Sequence, residues 1–332
     1  MRAHLTRALG LGLTVIFLVL ALQRVDLSSV GQELRSVNYV WLLPSAMCTL
    51  VGYVLRTVRW RVILSGSARA PVRTLFPVLM MGFATNNLLP GRLGEFWRAY
   101  MLGRKRNVSK STALASVVVE RVFDGLTLVV LLLLVSLGIQ LPGWSRNVAL
   151  AAALIFIAAT AATAVLIWQP RLVRATVRIF VRPQRIRGLV EPRVDAFIAG
   201  LASLRHARVL LIAAGLSATV WLFELGSYLL LSRGVNLDLP RSIEVPALGL
   251  ALVTINLGIM VPSGPGYVGT QEFFGTSALA VVNANPQTAL VLVAVSHLVQ
   301  YVVVTGLGLL FFAREQLFPK DIRAVALVEE PA

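Results

Sequence analysis

Five carboxylates stand where hydrocarbon side chains dominate. Glu95, Glu120, Asp124, Glu224 and Glu272 fall within or at the ends of apolar segments, and Arg121 sits between two of them. Insertion scales put a charged side chain at the centre of a membrane helix at about 2.5–3.5 kcal/mol, so these groups must face each other or water. On a helix Glu120 and Asp124 are i and i+4, and Arg121 and Asp124 are i and i+3, so two acids and a base share one side. Two chemistries suit such a group. One is an internal ion-pair cluster that fixes helix packing. The other is a polar step for a lipid headgroup, in which the planar fork of Arg121 meets a phosphate with two hydrogen bonds. Glu224, alone in "WLFELGSY", reads equally as a hydrogen-bonded helix contact and as a site residue. Of the three histidines, His4, His206 and His297, only His297 lies in an expected span. The sequence has no metal-spaced Cys/His/Asp cluster, no G-x-S-x-G and no G-x-x-x-x-G-K-[ST]. No metal, cofactor or catalytic residue is therefore expected. Any transport would be downhill, proton-coupled through the buried acids, or powered by a partner.

The elements that must hold these residues follow from hydropathy. With 57% apolar and 14% charged residues among 332, and repeated long apolar runs, the chain reads as an all-α polytopic membrane protein. Six full spans are expected at Leu5–Leu22, Tyr39–Leu55, Thr112–Ile139, Val148–Trp168, Val209–Leu231 and Ala289–Ala313, with two broken apolar segments at Thr74–Leu89 and Val245–Val261. The polar stretch Gln169–Arg208 is too short for a separate domain. The basic start lacks a small-x-small cleavage site, so the first run reads as a retained helix. A lone cysteine, Cys48, excludes an intrachain disulfide. One transmembrane domain over 1–313 and a short cytoplasmic tail over 314–332 are expected.

A net charge of +16 suggests nucleic acid until the basic residues are placed. Arg56–Arg73, Arg92–Lys110, Arg171–Arg208 and the two termini hold 25 of the 31. The positive-inside rule puts these on the cytoplasmic face, with both termini inside. Anionic lipid, and not nucleic acid, is the expected partner there. Arg171, Arg174, Arg178, Arg182 and Arg185 recur every three or four residues, as in a helix lying on that surface; positive-inside bias without a defined helix explains them equally well. Arg121 reads as the sole basic residue deep in the membrane.

Basic loops on both sides of Thr74–Leu89 cannot lie on one face if that segment crosses once. It therefore breaks at "NNLLPGRLGE" and returns as a hairpin, which requires burial in protein or a wet cavity. The pattern recurs at "TINLGIMVPSGPGYVGTQEFF". Glu95 precedes Glu120, and Glu272 precedes His297, by the same interval. With the tail inside, the second hairpin enters from the opposite face, so repeats of about 39–139 and 209–313 form an inverted-topology pair of the kind that builds a substrate site near the midplane. The match of Gly264–Gly269 to G-x-G-x-x-G is not a dinucleotide site, since no strand precedes it. A glycine turn before a half-helix can expose N–H groups to an anion, although a first-turn carboxylate competes for them.

"NNLLPGRLGEFWRAYML", "VVVERVFDG" and "VPSGPGYVGTQEFF" resemble the signature segments of the lysylphosphatidylglycerol synthase transmembrane region family, a flippase-like domain also found in bacterial inner-membrane proteins. The resemblance runs over about Arg7–Ala313 and implies a bacterial inner-membrane protein that moves a phospholipid, or another phosphate-bearing lipid, between leaflets. Bifunctional members carry a soluble aminoacyl-transferase domain after this region, and aminoacylation by that route is not expected of a chain ending at Ala332. The alternatives are a membrane-embedded enzyme acting on lipid headgroups and a non-transporting partner of a lipid-modifying enzyme. Candidates for the substrate path in the first half are Asn87, Pro90, Gly91, Gly94, Glu95 and Arg98, followed by Glu120, Arg121 and Asp124. In the second half they are Asn256, Pro262, Gly264, Gly266 and Gly269, followed by Glu272 and His297.

Overall fold

The computed structural model describes residues 2–23, 25–89, 92–181, 183–261 and 263–316. Pro90, Gly91, Pro262, Arg182 and the tail from 317 onward lie outside the described residues. The described residues are helical throughout their ordered elements. They form α1 (Arg2–Leu22), α2 (Leu27–Ser36), α3 (Leu42–Leu64), α4 (Val72–Leu88), α5 (Leu93–Arg106), α6 (Lys110–Gly138) and α7 (Gly143–Trp168). These are followed by α8 (Pro170–Phe180), α9 (Gln184–Gly200), α10 (Ala207–Val235), α11 (Arg241–Gly258), α12 (Thr270–Ala280) and α13 (Pro286–Arg314).

Local chemistry starts these helices. The Ser109 hydroxyl accepts from the Thr112 N–H at the head of α6, and the Asn285 amide oxygen accepts from the N–H groups of Gln287 and Thr288 at the head of α13. The outward faces are apolar: Leu133, Leu134 and Leu137 on α6, Leu154 and Ile155 on α7, and Leu298 and Val302 on α13 are all exposed, Leu137 by 85%. Charged groups are turned inward instead, the arrangement of a protein whose solvent is lipid.

Each expected span has a helix over it: α1, α3, α6, α7, α10 and α13. Length and apolarity together qualify three for a crossing, Tyr39–Leu64, Ala207–Val235 and Pro286–Arg314, and the α7–α8 pair, bent by 100°, supplies a fourth if taken as one span. The second expected span does not end at Leu55. Helix α3 runs on to Leu64 and buries Arg56 and Arg59, which were read as loop residues on the cytoplasmic face. Arg98, read as part of the next basic loop, is likewise buried in α5. Its charge and those of the two α3 arginines are met by acids from neighbouring helices, so an apolar run ending in Arg need not mark a membrane boundary. The basic surface helix is two elements. α8 carries Arg171, Arg174 and Arg178, while Arg185 belongs to α9, and the two are joined by Arg174–Asp195 at 2.7 Å and Arg178–Glu191 at 3.0 Å.

The helices pack in matched sets. In the first half α3 meets α4, α4 meets α5, α5 meets α6 and α3 meets α6. In the second half α10 meets α11, α11 meets α12, α12 meets α13 and α10 meets α13. Between halves α3 lies on α10, α4 on α13 and α6 on α11. Exchanging the halves maps this set of contacts onto itself.

Candidate functional site

Three helices of the first half and one of the second bring a balanced ion cluster together. Arg59 of α3 is 1% exposed; its guanidinium donates to Asp124 and to the Ser217 hydroxyl, each at 2.7 Å, and reaches Glu120 at 3.6 Å. Arg98 of α5 pairs with the other oxygen of Glu120 and lies over the Trp60 ring at 4.1 Å. Arg56 stands between Asp124 and Glu224, 3.5 Å from each, flanked by the Tyr53 and Trp221 rings. Arg121 reaches Glu95 at 2.9 Å and Asp124 at 3.6 Å. Four guanidiniums thus face four carboxylates. Arg121 is not the sole base deep among the helices but the most exposed of the four, and its closest acid is Glu95 and not its neighbour Glu120.

The second half carries a smaller counterpart. His297 of α13 places Nδ1 2.6 Å from Glu272 Oε1 and Nε2 2.8 Å from the Gly266 carbonyl, while Glu272 Oε2 accepts from the Gly269 N–H at 2.6 Å. Glu224 of α10 accepts from the Gln300 amide at 2.7 Å, which links this pair's helix to the first cluster.

Between the clusters lies a cavity of about 340 Å³. Asn86, Asn87, Arg92 and Glu95 of the first hairpin line it, as do Asn256, Gly266, Tyr267 and Gln271 of the second. The long helices add Arg56, Arg121, Asp124, Glu224, His297 and Gln300. Of the sequence-derived candidates, Asn87, Glu95, Arg121, Asp124, Asn256, Gly266 and His297 meet at this cavity. Arg98 and Glu120 sit behind it as a buried pair. Glu272 stands behind His297. Gly94, Gly264 and Gly269 serve the backbone turns, and their N–H groups are already taken by Asn86 Oδ1, Thr14 Oγ1 and Glu272 Oε2. Those three donors do not form an open anion nest. Pro90, Gly91 and Pro262 are outside the described residues.

Each break has its own device. Gly94 approaches Gly82 so closely that a Cβ there would lie 1.8 Å from the Gly82 carbonyl oxygen, which lets α5 fold back against α4. Gly266 adopts φ +70°, a conformation that L side chains rarely take, and so turns its carbonyl onto His297. Arg92 also has positive φ, 54°, and its guanidinium crosses to the second hairpin, donating to the Ile259 carbonyl at 3.1 Å beside the Tyr267 hydroxyl. Arg56, Arg59 and Arg92 were missed as site residues. For the first two a signal was present, since Ser45, Thr49, Gly52, Arg56, Arg59 and Ile63 repeat at helical spacing along one face.

A helical membrane protein with a charged cavity between two broken hairpins is the class these features define. Residues 7–308 match the family described as the lysylphosphatidylglycerol synthase TM region, and the chain belongs to that family. It is 26% identical to the glycosyltransferase AglD of Haloferax volcanii over 92% of this chain and 54% of that protein, so it spans about half of that relative's length. It is 25% identical to a UPF0104 membrane protein of Methanothermobacter thermautotrophicus over 84% of this chain and 86% of the relative. No solved structure matches it.

Proposed function

We propose that this protein moves a phospholipid, or another phosphate-bearing lipid, between leaflets without an ATPase of its own. The observation that carries the reading is Arg92. Arg56 and Arg121 each face two carboxylates at the cavity, whereas Arg92, among the described residues, has no acid within ion-pair distance and rests on neutral oxygens. A phosphate is the natural partner for a guanidinium held in that way, because it accepts two hydrogen bonds in the plane of the fork and supplies the missing charge. Because Arg92 spans from one hairpin to the other, a headgroup that draws it off the Ile259 carbonyl loosens the contact between them. Family membership and the apolar outer faces also support a lipid substrate.

The exchangeable packing of the two halves supports an inverted-topology repeat over about 39–139 and 209–313, within one domain over 1–313. The full reading places six spans and two re-entrant hairpins in a bacterial inner membrane, both termini in the cytoplasm, and anionic lipid against the basic face. Reporters near Gly66, Arg104 and Gly188 should then read cytoplasmic, and those near Pro142, Asp238 and Asn285 external. An external signal at Arg104 overturns the hairpin.

Reconstitution in liposomes with headgroup-labelled phospholipid tests the function. The expected result is exchange of label across the bilayer, above protein-free vesicles, falling severalfold in Arg92→Ala at matched protein content and unchanged melting temperature. Chemical conversion of the headgroup would favour the second reading, an enzyme, for which the relative named a glycosyltransferase is the support. Neither exchange nor conversion would leave a partner subunit of a lipid-modifying enzyme.

A further inference from the structure

We infer that Glu272 and His297 form a proton-binding site whose occupancy holds the second hairpin against α13. The hydrogen-bond geometry requires a proton there. The Gly266 carbonyl can only accept, so His297 Nε2, 2.8 Å away, carries a hydrogen. Glu272 Oε2 accepts from the Gly269 N–H, which leaves Oε1 to face Nδ1 at 2.6 Å. That short contact is a hydrogen bond only if one proton lies between Oε1 and Nδ1. The pair is then either a carboxylate with an imidazolium or a carboxylic acid with a neutral imidazole, and both carry the same total of two protons on the two groups.

Loss of the shared proton to water leaves a carboxylate and a neutral imidazole with one N–H. If that hydrogen stays on Nε2, Nδ1 and Oε1 face each other as two acceptors. If it moves to Nδ1, Nε2 and the Gly266 carbonyl do so instead. In either tautomer one contact to α13 turns repulsive, and both contacts belong to the second hairpin: Glu272 opens α12, and Gly266 lies in the turn before it. Deprotonation therefore releases α12 or the turn. The groups facing the pair are Tyr267 of that turn, Tyr301 of α13, Glu224 and Tyr228 of α10, Arg56 of α3, and Arg92, Glu95, Arg121 and Asp124 across the cavity. Arg56 and Arg121 are already engaged by carboxylates, and Arg92 is held on the Ile259 carbonyl beside the Tyr267 hydroxyl, so none takes the place of the proton. His297 borders the cavity, which gives the proton a route to it. As a driver of transport this site rests on the lipid-moving function proposed above; as a proton site it does not.

Two measurements on the full-length protein separate those halves. The first is 15N magnetic resonance of histidine-labelled protein in lipid nanodiscs, with the His297 signal assigned by its loss in His297→Gln. Expected is an imidazole protonated at, or sharing a proton through, both nitrogens while α12 and the turn are seated on α13. Raising the pH until one proton is lost should lengthen the spin-label distance between α12 and α13. A singly protonated imidazole at every pH, with an unchanged distance, overturns the site. Glu272→Gln is the control that folds, because an amide donates to Nδ1 and accepts from Gly269 with no exchangeable acid. Its α12–α13 distance should not move with pH. The second measurement imposes a pH difference on the liposomes. Wild type should accumulate labelled lipid in one leaflet, and Glu272→Gln should exchange lipid without that bias. Exchange in wild type indifferent to the pH difference overturns the coupling. Absence of any exchange alongside the expected resonance overturns the proposed function and leaves the proton site standing.

Discussion

Glu95 and Glu272 hold equivalent places in the two halves, each in the first turn of a short helix that follows a break and packs on a long helix. Their partners differ in kind. α6 answers Glu95 with Arg121, a cation at every accessible pH, and α13 answers Glu272 with His297, which is not. The guanidinium also sits within a shared set of ion pairs, since Asp124 serves Arg56, Arg59 and Arg121 and Glu120 serves Arg59 and Arg98. The imidazole stands with one carboxylate and one carbonyl. One architecture thus carries a half cross-braced by guanidiniums that share several acids and a half fastened by a single imidazole.

Removing one brace tests the first side of that contrast most severely. Arg59→Ala leaves Asp124 and Glu120 short of a cation in a buried setting and should cost about 3–5 kcal/mol, read as lost yield and a lower melting temperature in detergent. Retention of the wild-type melting temperature would show that the cluster does not hold the fold. The hairpin tips should rank next. Gly94→Ala drives a methyl into the Gly82 carbonyl, an overpacking of about 1–3 kcal/mol, and should part α4 from α5. Gly266→Ala adds about 1–2 kcal/mol of backbone strain, displaces the carbonyl that His297 meets, and should slow lipid exchange more than it lowers stability. Arg121→Lys keeps the charge between Glu95 and Asp124, so the melting temperature should shift little. If Arg121 guides headgroups, exchange should still fall severalfold, and an unchanged rate would assign it to bracing alone. The smallest stability change belongs to Glu272→Gln, which retains every hydrogen bond of the second joint. Its melting temperature should stay near wild type, and a collapse of the fold would mean that this joint braces as much as the first.

Much of this contrast was legible in the residues. Acids inside apolar runs announced buried partners, and helix breakers ahead of Glu95 and Glu272 located both hairpins. The shared interval reached a real contact in one half, Glu272 with His297, and in the other fell beside it, since Glu95 meets Arg121 and not Glu120. The basic side of the cluster was hidden by the rule used to find it. Counting arginines at the end of an apolar run assigns them to the cytoplasm, whereas Arg56 and Arg59 continue the buried face of α3 that begins at Ser45 and Thr49. Arg92 was harder still, because its part depends on a left-handed residue after a break and on a carbonyl far along the chain. No local pattern encodes that reach.

The equality of four guanidiniums and four carboxylates has an electrical consequence. A charge carried through the membrane field does work of about 2.3 kcal/mol per 100 mV, but a cluster whose formal charges sum to zero carries none when it shifts as a body. Movement of the whole cluster, with Glu224 of α10 carried along, is therefore silent to voltage, whereas a shift of the first half that leaves Glu224 behind is not. The charges left to feel the field are Arg92, the proton on the second joint and the phosphate of the lipid, so the dependence of transport on membrane potential reports which of them travels.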